Sequence, residues 1–259
     1  MQSRTCAAFR RGLIWAIWPL AAAYVIGLTV HGVAWAIVVN GWLGMLTVWA
    51  PAALCWLAVQ RAGSRRPEVL LAAAAVTSYA AGNTYYVVKT VGGGSLPFPS
   101  PADLGYLCVY PLLLAALALT VRRHVRGLAS SVWLDCAAGS LGAAAVLAVL
   151  LSPVLASATA GPLSLATIVA IAPPMFDLLL VATVAGIAGL GGVRMGSHWG
   201  LLVAGLLIFS AADVVYGLQV TADTYVIGTP LDSGWAIGLV LMSLWVDSTA
   251  QDRQPGTSC

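Results

Sequence analysis

The chain has 259 residues, of which 60% are hydrophobic and only 8% are charged, and its formal net charge is +3. Soluble domains carry roughly a quarter of their residues as Asp, Glu, Lys or Arg. This composition therefore excludes a water-soluble globular protein and indicates an integral membrane protein whose main partner is the lipid bilayer. The basic residues lie in short clusters between apolar runs, which membrane topology explains, so we expect no nucleic-acid partner.

A membrane-spanning helix needs about 20 mostly apolar residues, and the sequence offers eight such segments. We predict them at approximately 12–36, 41–60, 68–90, 103–121, 130–156, 164–190, 198–220 and 232–248. The first segment resembles a secretory signal, but its apolar run continues to Val30, longer than is usual for a signal. We interpret it as the first membrane anchor, with the following turn near Asn40 and Gly41.

The positive charges predict the orientation, because Lys and Arg in short loops mark the cytoplasmic side of a membrane protein. With the N-terminus inside, only Lys89 falls on the outer side. The arginines then all lie inside: Arg4, Arg10, Arg11, Arg61, Arg65, Arg66, Arg122, Arg123, Arg126, Arg194 and Arg253. This asymmetry favours eight spans with both termini in the cytoplasm.

An internal repeat is visible in the polar residues of the apolar segments. Ala-Gly-Asn-Thr-Tyr-Tyr at 81–86 matches Ala-Ala-Asp-Val-Val-Tyr at 211–216, and Pro-Ala-Asp-Leu-Gly-Tyr at 101–106 matches Pro-Leu-Asp-Ser-Gly-Trp at 230–235. The sequence therefore predicts an all-α fold of two four-helix repeats, 1–128 and 129–250, followed by a cytoplasmic tail at 251–259. Because four is an even number, the repeats are parallel and related by an axis along the membrane normal.

Two acids mark the starts of the fourth and eighth segments. Asp103 follows Ser100-Pro101, and Asp232 follows Thr229-Pro230, so each site has a hydroxyl cap, a proline and an acid at the third helical position. This pattern satisfies free backbone N–H groups and complements the helix dipole. Capping explains both acids, and the alternative is that they also line a ligand site on the outer side, with Trp235 beside Asp232.

A polar residue and a tyrosine recur inside the third and seventh segments. Asn83 and Tyr86 lie three residues apart on one helix face, as do Asp213 and Tyr216. An ionisable group at that depth costs several kcal/mol unless it is paired or hydrated, which makes it a functional candidate. Two interpretations stay open here: a ligand or proton site, and hydrogen bonding that holds neighbouring helices together.

Asp177 is the acid that the sequence places closest to the middle of the membrane. It follows the pair Pro173-Pro174 in the sixth segment, where prolines remove backbone donors. No Lys or Arg lies at a matching depth, so its expected partners are water or a hydroxyl such as Ser78 or Ser210. Asp135, near the predicted cytoplasmic end of the fifth segment, carries less information.

No recognised catalytic or cofactor motif occurs in the sequence. The five cysteines (Cys6, Cys55, Cys108, Cys136 and Cys259) show no metal or disulfide spacing, and His31, His124 and His198 fall near segment ends. Phosphate loops, Ser/His/Asp sets and zinc-protease motifs are also missing. We therefore expect no metal, no cofactor and no enzymatic activity from these residues.

Several of these features together resemble a membrane region that precedes GGDEF diguanylate cyclase domains, often followed by EAL phosphodiesterase domains, in actinobacterial signalling proteins. The resemblance rests on the 99–106 motif with Tyr110-Pro111, the run at 174–179, Ala212-Asp213 with Tyr216, and the 231–235 motif. It implies a membrane-embedded sensor domain for cyclic di-GMP signalling. No GGDEF or EAL motif occurs in these residues, so catalysis would belong to a cytoplasmic domain in cis or in trans.

The sequence thus leads to a first functional expectation with two alternatives. The first is a sensory and anchoring module that couples an outer or intramembrane stimulus to a cytoplasmic output through the eighth segment. The alternatives are a small secondary transporter and a structural membrane protein without a ligand. The expected ligand site, open to the outer side, comprises Asn83, Tyr86, Asp103, Asp177, Asp213, Tyr216, Asp232 and Trp235. An acidic and aromatic site of this kind suits a cation or a neutral hydrogen-bonding molecule better than an anion.

Overall fold

A computed structural model describes residues 2–30, 35, 37–63, 66–90, 94, 96–124, 130–160, 164–189 and 198–251. Within these ranges the chain forms helices joined by turns and short loops, and no strand occurs there. The predicted all-α class is therefore confirmed for this part of the chain. Some sequence-based assignments lie outside the described residues: Arg65, Arg126, Arg194, Arg253, His31, Cys259 and the side chains of Arg4, Cys6, His124, Asp135 and Cys136.

The helices follow the predicted apolar segments in order. They are α1 (Gln2–Val30), α2 (Gly44–Ala62), α3 (Pro67–Thr90), α4 (Pro101–His124), α5 (Ser130–Leu150), α6 (Ser152–Thr159), α7 (Leu165–Gly189), α8 (Trp199–Thr221) and α9 (Asp232–Thr249). Each predicted segment overlaps one long helix, and the short α6 is an addition.

Two predicted boundaries are wrong. The fifth segment, predicted as one helix over 130–156, is divided at Leu151 into α5 and α6, because Pro153 in the first turn of α6 lacks the N–H group that would continue α5. The turn predicted at Asn40 and Gly41 is also wrong, since both residues lie in a π-helical turn, Ile37–Leu43, that runs directly into α2.

Five helical stretches of the described chain are long and apolar enough to cross a membrane, judged by length and composition. They are Ala7–Val30, Ile37–Ala62, Pro101–Arg123, Leu165–Thr183 and Trp199–Thr221. A shorter apolar stretch, Ala137–Leu150, lies in α5. The structure thus has the helical character of a membrane protein, with five candidate spans.

The helices α3 and α9 are more polar than these five and lie inside the bundle. α3 packs against α2, α4 and α9, and α9 also packs against α1, α2 and α8. A polar residue on a helix face that meets protein avoids the cost of facing hydrocarbon. The small residues of α3, such as Ala73, Ala75 and Ala80, are fully buried in the main core cluster with Cys55 of α2. The inner positions of α3 and α9 explain why their composition is less apolar.

Charged residues from five helix termini meet at one end of the bundle. The Arg10 side chain of α1 donates to Asp247 near the end of α9 at 2.8 Å, and Arg61 of α2 donates to the other oxygen of the same carboxylate. Arg123 of α4 pairs with Glu68 of α3 at 2.9 Å. We name Arg10, Arg61 and Asp247 the arginine clamp. These arginines are among those that the positive-inside rule assigns to the cytoplasm, so this end is the expected cytoplasmic end.

Candidate functional site

A cavity of about 570 Å³ lies at the other end of the bundle, between α3, α4, α8 and α9. The start of α2 and parts of α6 and α7 complete its walls, and loop residues such as Phe98 and Ile227 border it. Ligand pockets in proteins have volumes of roughly 300 to 1,000 Å³. The lining includes seven of the eight residues of the expected site: Asn83, Tyr86, Asp103, Asp213, Tyr216, Asp232 and Trp235. The structure therefore brings together polar groups from both halves of the sequence, and ligand binding by them stays a prediction.

Asp213 of α8 connects three helices while it faces the cavity. Its carboxylate accepts hydrogen bonds from the Tyr110 hydroxyl of α4 at 2.8 Å and from the Trp235 indole N–H of α9 at 2.7 Å. The two interpretations of this residue are thus compatible, since one carboxylate holds helices together and also lines the cavity. Asn83, its counterpart in the repeat pattern, lines the same cavity from α3.

Asp103 accepts hydrogen bonds at the start of α4 as the sequence predicts, but the Ser100 hydroxyl donates to it instead of capping a backbone N–H group. Its Oδ2 accepts hydrogen bonds from the backbone N–H of Ser100 at 2.6 Å and from the Ser100 hydroxyl at 2.9 Å. Capping and cavity lining therefore occur at the same residue. Lys89, the one basic residue predicted on the outer side, forms no ion pair with Asp103, and its ammonium lies 5.9 Å from the ring centre of Tyr85.

Asp232 performs a similar task at α9 through different partners. Its oxygens accept hydrogen bonds from the Gly228 backbone N–H at 2.7 Å and from the Tyr225 hydroxyl at 3.0 Å. The predicted role of the Thr229 hydroxyl is wrong, since that hydroxyl is buried and has no hydrogen-bond partner among the described residues. Pro230 lies in a turn ahead of the helix, so α9 begins at Asp232 rather than at the proline.

Tyr225, in the loop before α9, orients the Asp232 carboxylate. Burial raises the pKa of the Tyr225 phenol, and the negative charge of Asp232 raises it further. The hydroxyl therefore keeps its proton and remains a hydrogen-bond donor. Its ring meets that of Tyr216 edge-on, with ring centres 4.7 Å apart, and Tyr216 in turn meets Trp235 at 5.6 Å. We name these three rings the aromatic box.

Asp177 is the one predicted site residue that does not line the cavity. Its side chain is 1% exposed and lies beside Ser210 and Asp213 of α8, and its Oδ1 atom has no hydrogen-bond partner among the described residues. The other expected partner, Ser78, instead donates to the Gly105 carbonyl at 2.7 Å. Asp177 therefore lies behind the cavity wall, next to Asp213.

Sequence reasoning missed several residues that the structure places in functional positions. Tyr110 and Tyr225 were not assigned to the site, although each donates to one of its carboxylates. Asn40 lines the cavity with a buried Oδ1 atom that has no described partner. A signal existed for Asp247, an acid at the end of a helix among predicted cytoplasmic arginines, whereas no local pattern points to Tyr225. Within the described residues, no group of three or more His, Cys, Asp or Glu side chains could hold a metal ion.

No family model, no curated protein and no solved structure matches the chain.

Proposed function

We propose that this chain is a membrane-embedded sensory and anchoring module of a cyclic-dinucleotide signalling protein in a bacterial plasma membrane. The cavity receives a small molecule from the outer side, and α9 transmits its presence to a cytoplasmic signalling domain in cis or in trans. The observation that carries the proposal is the position of α9, which contributes Asp232 and Trp235 to the cavity and Asp247 to the arginine clamp. The link to cyclic dinucleotides rests on the resemblance alone.

The length of α9 suits this role. It has 18 residues, which at 1.5 Å per residue span about 27 Å, close to the thickness of the hydrocarbon layer. A rigid helix of this length carries a shift at one end to the other, provided that its packing has two arrangements. The arginine clamp holds the C-terminal end of α9 to α1 and α2. A ligand that moves Trp235 would therefore change the geometry of these ion pairs.

Two four-helix repeats are part of the proposal, and two equivalent helix crossings support them. A methyl group added to Gly105 of α4 would lie 2.7 Å from the Gly82 Cα atom of α3. In the same way, a methyl group added to Gly234 of α9 would lie 2.9 Å from Ala212 Cβ of α8. The repeat pattern pairs these residues with each other. Moreover, α2 packs on α3 and α9, as α7 packs on α8 and α4.

Eight spans with both termini inside make a labelling prediction. We expect single cysteines at Ser95 or Thr224 to react with a membrane-impermeant maleimide added outside intact cells. Cysteines at Ser64 or Gly127 should react only after the cells are permeabilised, because these two positions lie in arginine-rich loops. The assay uses a background in which the native cysteines are replaced by Ala. The reverse pattern of labelling would overturn the orientation.

The sensory role predicts that cavity variants change the output. The reporter is a diguanylate cyclase domain joined after Cys259 of the full chain. In this fusion we expect Trp235→Leu to change the cellular concentration of cyclic di-GMP by about fivefold, a typical magnitude for coupling between two sites. The indole both lines the cavity and holds Asp213, so its loss changes how α8 meets α9. Trp15→Leu is the matched control, since Trp15 is 77% exposed on α1. Equal cyclic di-GMP in Trp235→Leu and wild type, at equal protein level, would contradict the sensory role.

A secondary transporter is the second candidate, and Asp177 is the observation that favours it. Asp177 is buried, one of its oxygens has no described hydrogen-bond partner, and it lies beside a second acid, Asp213. Its helix, α7, also contains two adjacent prolines. Buried acids in kinked helices are a feature of proton-coupled transport. Flux of a solute into proteoliposomes that Asp177→Asn abolishes would replace the sensory proposal with this one.

A further inference from the structure

We infer that the cavity takes an organic ammonium ion, a single positive charge attached to an apolar body, and that the aromatic box holds the charged end. The inference deepens the proposed function and rests on it in treating this cavity as the receptor site. It follows from three properties of the lining: its charge, the way its hydrogen-bond donors are used, and the arrangement of its rings.

The charge of the lining is negative. Asp103, Asp213 and Asp232 all contribute to the wall, whereas Lys, Arg and His are absent from its described residues. Two of these acids lie at helix N-termini, where the helix dipole supplies a partial positive charge of about half a unit that offsets part of their charge. Asp213 lies within α8 and has no such compensation. An anion would therefore be repelled from the cavity, and a cation would be attracted.

The hydrogen-bond donors around the acids are already in use. Tyr110 and Trp235 donate to Asp213, Tyr225 and the Gly228 N–H donate to Asp232, and Ser100 donates to Asp103. These donors are uncharged, so they orient the carboxylates without neutralising them. A cationic ligand therefore meets carboxylates that keep both their charge and their orientation.

The rings of the lining provide the second half of a cation site. Seven tyrosines, two phenylalanines and one tryptophan border the cavity. The ring of Tyr216 lies edge-on to Tyr225 at 85° and to Trp235 at 72°, so its plane is steeply inclined to both of theirs. Aromatic rings attract ammonium groups over their electron-rich faces, most strongly where water is excluded. Asp232, hydrogen-bonded to Tyr225, supplies the opposite charge next to the box.

The test compares three probes of similar shape in lipid nanodiscs that contain the full chain. These are the cation benzyltrimethylammonium, its uncharged carbon isostere neopentylbenzene and the anion phenylacetate, titrated calorimetrically, with empty nanodiscs subtracted. We expect saturable binding of the cation at an affinity at least about tenfold above that of the isostere, as cation–π attraction predicts, and no binding of the anion.

Tyr216 offers a matched pair of variants for the same titration. Its side chain is 39% exposed and its hydroxyl has no hydrogen bond among the described residues, so Tyr216→Phe breaks no described hydrogen bond. Tyr216→Phe keeps the aromatic face and should bind the cation within about twofold of wild type, whereas Tyr216→Leu should weaken it about tenfold. Asp232→Asn, checked for unchanged thermal unfolding, should weaken the cation and leave the isostere unaffected.

Three results would overturn the inference: equal affinity for cation and isostere, no saturable binding of the cation, or equal affinity of Tyr216→Phe and Tyr216→Leu. These results concern the ligand class only, because binding is measured without any signalling output. The sensory proposal fails separately, if Trp235→Leu leaves the cyclic di-GMP level unchanged.

Discussion

Gly105→Ala should lower the free energy of unfolding by about 3 kcal/mol, the upper end of what overpacking costs. An added Cβ atom would lie 2.7 Å from the Gly82 Cα atom, 2.9 Å from the Gly82 nitrogen and 2.9 Å from the Ser78 carbonyl oxygen. All three are backbone atoms of α3, so no side-chain rotation can relieve the contact, and α3 and α4 must separate. The separation would also break the hydrogen bond from Ser78 to the Gly105 carbonyl. Unfolding by SDS in mixed micelles measures the change.

Gly142→Ala is the matched control for this prediction. Gly142 lies within α5, and an added Cβ atom there would meet nothing within 4 Å. Alanine is the better helix former by up to about 1 kcal/mol, so this variant should be as stable as wild type or slightly more stable. If Gly105→Ala were as stable as Gly142→Ala, α3 and α4 could not pack as closely at Gly105 and Gly82 as described. The wall of the cavity that holds Asn83 and Asp103 would then need a different arrangement.

Asp247→Ala should destabilise the protein by about 3 kcal/mol, because it leaves two guanidinium groups without their shared carboxylate. The Asp247 side chain is only 4% exposed, and its partners Arg10 and Arg61 are 21% and 26% exposed. Gln251 loses its hydrogen bond to the same carboxylate at 2.9 Å. The effect should also appear as a changed output in the cyclase fusion, since the clamp fixes the inner end of α9 to α1 and α2.

Asp223→Asn serves as the comparison for the clamp. Asp223 is an exposed loop residue with φ of 55°, a conformation that Asn adopts readily, so its substitution should change stability by less than about 0.5 kcal/mol. Replacing all three clamp residues by apolar ones should recover much of the stability lost in Asp247→Ala, because no charge is then left unpaired. If Asp247→Ala and Asp223→Asn had the same free energy of unfolding, the arginine clamp would not hold α9 in place.

Apolar run length predicted where the long helices lie, but it did not resolve breaks inside a run. The division at Leu151 and the helical state of Asn40 were both missed, because the residues on either side are equally apolar in each case. The contact of Asp103 with Ser100 was predicted, since it spans only three residues, although the Ser100 hydroxyl donates to the acid rather than capping a backbone N–H group. The related site at Asp232 was predicted less well, because its partners, Tyr225 and Gly228, come from a loop whose conformation depends on the packing of α8 against α9.

The sequence by itself indicated a helical membrane protein and predicted that its arginines share one side of the membrane, because lipid exposure and charge act on each segment separately. It also selected the polar residues worth examining, since each is costly in lipid wherever its helix lies. Only the tertiary structure decided that Asn83 and Asp213 share a cavity, that Asp177 lies behind its wall, and that Asp247 binds arginines from α1 and α2. These contacts join different helices and depend on how each helix is rotated about its axis, which apolar pattern alone does not fix.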